Sequence, residues 1–223
     1  MKASETMSIR RMFFLSNAVI RIVMLVVLSA SQAYAQEWCQ VRWVDDGDTI
    51  VLDDGRRVRY IGINAPEIAH ENKTAEPFGR QAASFNRQLV SHRFVRLEMD
   101  KEIHDAYGRV LAYVFLPDGR CVNQLMIEKG YACCLPKPPN LKYAKKLLDA
   151  QNRAMMMEKG IWQTWKPLKF GVIGNKRSRR FHRSTCPFGK KIHKKSRVEF
   201  SNPWNAFQSG FAPCKRCIQP PHF

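Results

Sequence analysis

Asp46–Glu67, DGDTIVLDDGRRVRYIGINAPE, is the stretch on which the fold turns. Val41–Val44 and Ile50–Leu52 are β-branched or aliphatic runs, and the Asp46-Gly47 and Asp54-Gly55 dipeptides favour tight hairpin turns. Val58 and Tyr60 alternate with Arg59 and Ile61, so a third strand running to Ile63 sends Arg59 to the face opposite Val58 and Tyr60. Pro66 stops that strand. In this reading Asp48, just past the first turn, and Asn64-Ala65-Pro66-Glu67, at the end of the third strand, converge at one end of a small sheet with Arg59 between them. Their carboxylate and amide oxygens suit a hard cation such as calcium.

Working outward, the polar run Ile68–Pro77 reads as a loop beside the site, and His70 within it as a solvated side chain. Phe78–His92 places Ala82, Phe85, Leu89 and Val90 at helical spacing. Phe94–Met99 and Val110–Phe115 read as strands on either side of a turn at Asp105–Arg109, in which Tyr107 either packs or contacts a ligand. Val122–Glu128 predicts a short helix ended by Gly130, and Leu141–Lys159 a long one closed by Gly160-Ile161-Trp162. Trp165–Asn175, punctuated by Pro167 and Gly171, reads as a linker.

Three motifs in order, DGDT at Asp46–Thr49, Arg59 followed by Asn64-Ala65-Pro66-Glu67, and Asp105-Ala106-Tyr107-Gly108-Arg109 before Leu111–Val114, resemble the staphylococcal nuclease (thermonuclease) family. The resemblance runs from about Val41 to Trp162. It implies an α+β, mainly β fold: an OB-like five-stranded β-barrel with about three helices. It also implies calcium-dependent phosphodiester hydrolysis, with Asp48 as a metal ligand, Arg59 and Arg109 as catalytic arginines and Glu67 as the catalytic glutamate. The family usually carries a second metal-binding aspartate where this chain has Asn64, which keeps an oxygen ligand but loses a negative charge. Asn64→Asp is therefore expected to strengthen calcium dependence or activity. The family's tyrosine-bearing loop after the short helix is shorter and less aromatic here, at Tyr131–Pro136.

The 223 residues suit one or two domains, and a hydrophobic content of 45% is enough for a core. The formal charge of +18 is unevenly spread: +3 over residues 1–35, +2 over 36–165 and +13 over 166–223. Residues 1–35 combine Lys2, Arg10 and Arg11 with an apolar stretch from Ile22 to Ala30 and the small-x-small site Ala33-Tyr34-Ala35. This is the pattern of an export signal cleaved after Ala35. Arg21 leaves an uncharged run too short to span a bilayer comfortably, so no stable membrane association is expected after cleavage, and the mature protein is placed in the periplasm or secreted.

The basic tail holds a second constellation. His182-x3-Cys186 and Cys214-x2-Cys217 supply four ligands of the kind and number that a structural zinc requires. A segment of this size with few large apolar side chains gains from a metal staple. The signatures are similar to those of the zinc domain of the bacterial alkylation-response DNA methyltransferase, with His182 at a position where that domain has cysteine. Disulfides among the tail cysteines are the competing reading in an oxidising compartment. Cys39, Cys121, Cys133 and Cys134 are either buried small residues or disulfide-bonded. Lys176–Arg180 and Lys190–Lys195, interleaved with Phe181, Phe188 and Phe200, form the electrostatic footprint expected of phosphate-backbone binding.

The sequence thus predicts a signal (1–35), a nuclease-like domain (36–164), a linker (165–175) and a small basic zinc-binding module (176–223). The expected function is a calcium-dependent nuclease of DNA and/or RNA, tethered to nucleic acid by its tail. A noncatalytic nucleic-acid-binding protein on the same barrel is the alternative. An envelope structural protein would leave Arg59, Glu67 and Arg109 without a purpose.

Overall fold

Alternation of buried and exposed side chains builds the strands that the hairpin turns connect. In a computed structural model, residues 38–69, 74–165 and 170–218 are described; the expected export signal and His70 lie outside them. Strand β1 (Trp38–Val44) buries Cys39 and Val41, and a register shift between Val41 and Trp43 then turns Val44 inward. It is followed by β2 (Thr49–Leu52) and β3 (Arg57–Tyr60), where Val58 and Tyr60 are buried and Arg59 lies on the other face. With β5 (Phe94–Glu98) and β6 (Val110–Phe115) these close a five-stranded barrel in the order β1-β2-β3-β6-β5. Within the barrel only the β3–β6 pairing is parallel. Helices α1 (Gly79–Val90), α2 (Val122–Glu128) and α3 (Ala144–Met156) are the three expected of the barrel.

The third strand does not run through to Ile63 as the alternation suggested. It breaks at Ile61, and β4 (Gly62–Asn64) leaves the barrel to pair with β7 (Cys133–Leu135). Gly62 takes φ +78°, and a Cβ there would meet Leu147 Cδ1 at 2.8 Å, so the bend requires glycine. Buried Asn123 fixes it, donating to the Ile61 carbonyl at 2.9 Å while accepting from the Val114 N–H at 2.9 Å. The bend takes Asn64 off the barrel sheet and sets it opposite Cys133 in the β4–β7 pair.

The tail forms a four-stranded sheet, β10-β8-β9-β11, from β8 (Val172–Asn175), β9 (Arg180–Arg183), β10 (Arg197–Phe200) and β11 (Ala212–Pro213). Two short helices accompany it, α4 (Pro187–Lys190) and α5 (Pro203–Gln208). This sheet shares a second apolar core with the barrel's last helix: Met155, Trp162 and Trp165 pack with Phe181, Phe207 and Phe211. Edge-to-face aromatic pairs knit it, with Trp162, Trp165 and Phe181 ring centroids each 4.9–5.1 Å from that of Phe207. Trp165 and Val172–Asn175, expected in a linker, are therefore a core residue and a strand. Their partners lie far away in sequence, so no local periodicity announces them. Gln151 of α3, fully buried, adds a polar tie: it accepts from the Cys134 N–H at 2.6 Å and donates to the Phe207 carbonyl at 2.5 Å.

Candidate active site

The turn between β1 and β2 delivers Asp48 to the end of the barrel. Asp48 is buried; its Oδ2 accepts from the Ala65 N–H at 2.7 Å and pairs with Arg59 Nη2 at 2.9 Å, and its Oδ1 accepts from Thr49 Oγ1 at 3.2 Å. Arg59, on the outward face of β3, also donates to the carbonyls of Tyr60 at 2.8 Å and Ile63 at 3.0 Å. Strand alternation thus brings Arg59 to Asp48, and the β3–β4 bend sets Ile63 and Ala65, the neighbours of Asn64, against that pair. Asp46 joins them, accepting from the Asp48 N–H at 2.8 Å. Burial, and then the charge of Asp48, push the Asp46 carboxyl up to about 7. The Asp46 turn is held from behind by Asn86 of α1, which donates to the Asp46 carbonyl at 2.9 Å and accepts from the Tyr60 hydroxyl at 2.8 Å.

Glu67 follows Pro66 and is half-buried. Its N–H donates to Glu76 Oε2 at 3.0 Å, and Gly79 packs against its carbonyl so closely that a Cβ would lie 2.2 Å from the oxygen. Arg109 stands at the start of β6, beside β3 in parallel register. Its side chain pairs with Asp105, Nε at 2.8 Å and Nη2 at 2.7 Å. Burial acts to raise the Asp105 carboxyl, but the hydrogen bonds from Arg109 hold it below its ordinary value. Tyr107 is 86% exposed, with the Arg109 guanidinium 5.6 Å from its ring, so its role is not packing. The carboxylate that Arg109 meets is thus Asp105, not Asp48.

Two cations arrive from the tail: Arg180, read in the sequence only as part of the Lys176–Arg180 basic run, and Lys215, which that reading did not single out. Arg180, first residue of β9, donates Nη2 to Asn64 Oδ1 at 2.9 Å and Nη1 to the Pro213 carbonyl at 2.9 Å. Lys215 forms an ion pair with Glu67. A cavity of about 700 Å³ opens between barrel and tail, lined by Asn64, Glu67, Trp165, Arg180, Lys215 and Arg216 among others. What tied them to this site in the sequence was only their place beside the ligand-type residues: Arg180 two before His182, and Lys215 next to Cys214.

Those ligand-type residues do converge. One side-chain atom from each of His182, Cys186, Cys214 and Cys217 falls within a 4.8 Å cluster, with Cys186 Sγ 3.5 Å from His182 Nδ1. Tetrahedral zinc with sulfur ligands sets such edges at about 3.8 Å, so the four fit a metal of that kind. Burial pushes the Cys217 thiol up to about 12; burial also acts to raise Cys186, but the Gly189 N–H and neighbouring thiols bring it below its ordinary value. Cys121, Cys133, Cys134, Cys186, Cys214 and Cys217 carry free thiols. At the barrel site the donors are oxygens alone, which suits calcium: Asp48 and Asp46 supply carboxylates, while the Asn64 oxygen is already engaged by Arg180.

A family model described as staphylococcal nuclease homologue matches residues 57–164, which take in Arg59, Asn64, Glu67 and Arg109 but stop short of the tail. The chain is 38% identical over 135 residues to the thermonuclease of Staphylococcus hyicus, covering 59% of this chain and 79% of that protein. With the thermonuclease of Staphylococcus intermedius the identity is 40% over 126 residues, 55% of this chain and 74% of the other. With endonuclease YncB of Bacillus subtilis it is 34% over 136 residues, 59% and 62% respectively.

Proposed function

Since the chain belongs to the staphylococcal nuclease homologue family, and by that kinship is a phosphodiester-hydrolysing nuclease, we propose that it is an exported, calcium-dependent enzyme acting on DNA and/or RNA. Its kinship with enzymes stands against the noncatalytic reading of the barrel. The observation that carries the proposal is the convergence of Asp48, Arg59 and Asn64 at one end of the barrel, with Glu67 on the cavity beside them.

In the transition state of phosphodiester hydrolysis, negative charge accumulates on the phosphoryl oxygens, and fixed cations stabilise it. Arg59, pinned by three acceptors, is preorganised for this, and Arg109 acts from the neighbouring strand with Asp105 holding its orientation. The planar guanidinium fork can take two phosphoryl oxygens at once. Glu67 orients or deprotonates the attacking water from its rigid Pro-Glu corner. Asp48 and Asp46 are the residues that would hold calcium, which when bound polarises the phosphate.

His182, Cys186, Cys214 and Cys217 would hold a structural zinc. The exposed Lys176, Arg177, Lys190, Lys191, Lys194 and Lys195 serve as a sequence-independent grip on the phosphate backbone. Arginines already cover the aromatic rings nearby: Arg216 lies 4.8 Å from the Phe188 ring centroid and Arg183 4.4 Å from that of Phe170. The grip is therefore electrostatic more than stacking. The deciding experiment is DNA and RNA cleavage by the mature protein, with and without calcium, beside Glu67→Gln. Calcium-supported cleavage that drops at least about 100-fold in the variant is expected; equal cleavage by both would overturn the reading.

A further inference from the structure

The tail does more than hold nucleic acid at a distance. Arg180 reaches the barrel site from β9 and bonds the side chain of Asn64, in the immediate neighbourhood of Asp48 and Arg59. It is largely removed from solvent, and among the described residues no carboxylate pairs with it; its two hydrogen-bond acceptors are a neutral amide and a neutral carbonyl. A cation so placed has no carboxylate bonded to it, the nearby Asp48 being paired with Arg59, and a guanidinium has five N–H donors, of which these bonds use two. It lines the same cavity as Glu67 and Lys215, so its open side faces the space in which a substrate would lie beside Glu67.

The group that satisfies these conditions is a phosphodiester: an anion with paired oxygens that a planar fork can grip. We propose that Arg180 is a third phosphate-binding arginine of the nuclease site, a catalytic residue delivered by the C-terminal sheet, and that Asn64 acts to position it rather than to bind calcium. Asn64 suits that duty because it is neutral. An aspartate there would neutralise Arg180 in a buried ion pair and withdraw it from the substrate. Arg180 itself is held by the tail's ligand cluster, since Pro213, which accepts from it, immediately precedes Cys214, and His182 lies two residues along the same strand. The proposal rests on the nuclease reading of this site, and its test separates the two.

Full-length wild type, Arg180→Met, Arg180→Lys, Asn64→Asp and the Asn64→Asp/Arg180→Met pair are compared, with thermal melting and zinc content as checks of folding. Arg180→Met is expected to lower kcat by about 100-fold, the usual effect of removing one transition-state donor. Arg180→Lys is expected to retain about a tenth of wild-type kcat or less, because a point charge cannot replace the fork. In a Glu67→Gln background with calcium omitted, loss of Arg180 weakens binding of a short oligonucleotide and lowers the salt slope by about one. Asn64→Asp alone loses activity without tightening calcium, whereas in the pair the freed carboxylate tightens it. A folded Arg180→Met with wild-type kcat and oligonucleotide binding overturns the proposal. So does wild-type activity in Arg180→Lys, which decides the matter if the methionine variant fails to fold, or tighter calcium binding by Asn64→Asp alone. If wild type shows no Glu67-dependent cleavage, the nuclease reading fails instead, while oligonucleotide binding still reports on Arg180.

Discussion

Arg59 and Arg109 each meet an aspartate, but the two pairings differ in what they secure. Arg59 is fixed by Asp48 and two backbone carbonyls, so losing one partner leaves others. Arg109 depends for its orientation on Asp105, whose carboxylate also accepts from the N–H groups of Tyr107 and Arg109 at 2.9 and 3.0 Å. Asp105→Asn keeps part of the turn but loses the charge that holds the guanidinium. The variant is expected to lower kcat by up to about 100-fold with a smaller change in KM, as misplacement of a transition-state group does; steady-state kinetics on a short oligonucleotide checks this. Because the Asp105 carboxyl is held below its ordinary value, the stability this pairing contributes is present above the unfolded carboxyl's pKa and lost as pH falls through the folded one. The DGDT and Asn-Ala-Pro-Glu residues were legible because short turns place them, whereas Asn86, which holds the Asp46 turn from an adjacent helix, gave no signal among ordinary helix residues.

Among the elements, hairpins were the most readable and bends the least. The Asp-Gly turns and the β-branched runs around them are local, and β1, β2 and the start of β3 follow from them. The break at Ile61 depends on Asn123, 62 residues away, and β7 exists because β4 leaves the barrel to pair with it. Tyr131–Pro136, read as a short loop, thus contains a strand. Helix α3 joins these pieces to the tail through Gln151. Gln151→Leu strands the buried Cys134 N–H and Phe207 carbonyl, each costing about 1–3 kcal/mol. Denaturant unfolding is expected to show a loss of about 2–6 kcal/mol, with activity falling because β9 carries Arg180. An unchanged midpoint would mean that α3 and α5 do not depend on this tie.

At the scale of the whole molecule, the ligand cluster and the candidate active site are built on the same elements. His182 shares β9 with Arg180, and Lys215 sits between Cys214 and Cys217 while pairing with Glu67. Anything that loosens the cluster should therefore move two cations out of the cavity, apart from any effect on the basic grip. Removing zinc with a zinc-selective chelator is expected to lower the melting temperature and the cleavage rate together, even with calcium in excess. Restoring zinc, and not adding calcium, should recover both; cleavage unaffected by zinc loss would separate the cluster from the site. The grip proposed for the basic residues of the tail is independent of this and is expected to show as salt-dependent affinity.

The sequence by itself determined the barrel and its three helices, because turns, alternation and helical spacing are local, and it brought forward Asp48, Arg59, Asn64, Glu67 and Arg109 as candidates because the motifs occur in order. It also brought His182, Cys186, Cys214 and Cys217 forward as a ligand set by spacing alone. Only the tertiary structure decided that the tail packs on the barrel instead of following a linker, and that Arg180 occupies the oxygen of Asn64. Those outcomes depend on aromatic residues such as Trp162, Trp165, Phe181 and Phe207 finding one another across intervening chain. Burial of such side chains is non-directional and has no period along the sequence, so it becomes visible only when the chain is folded.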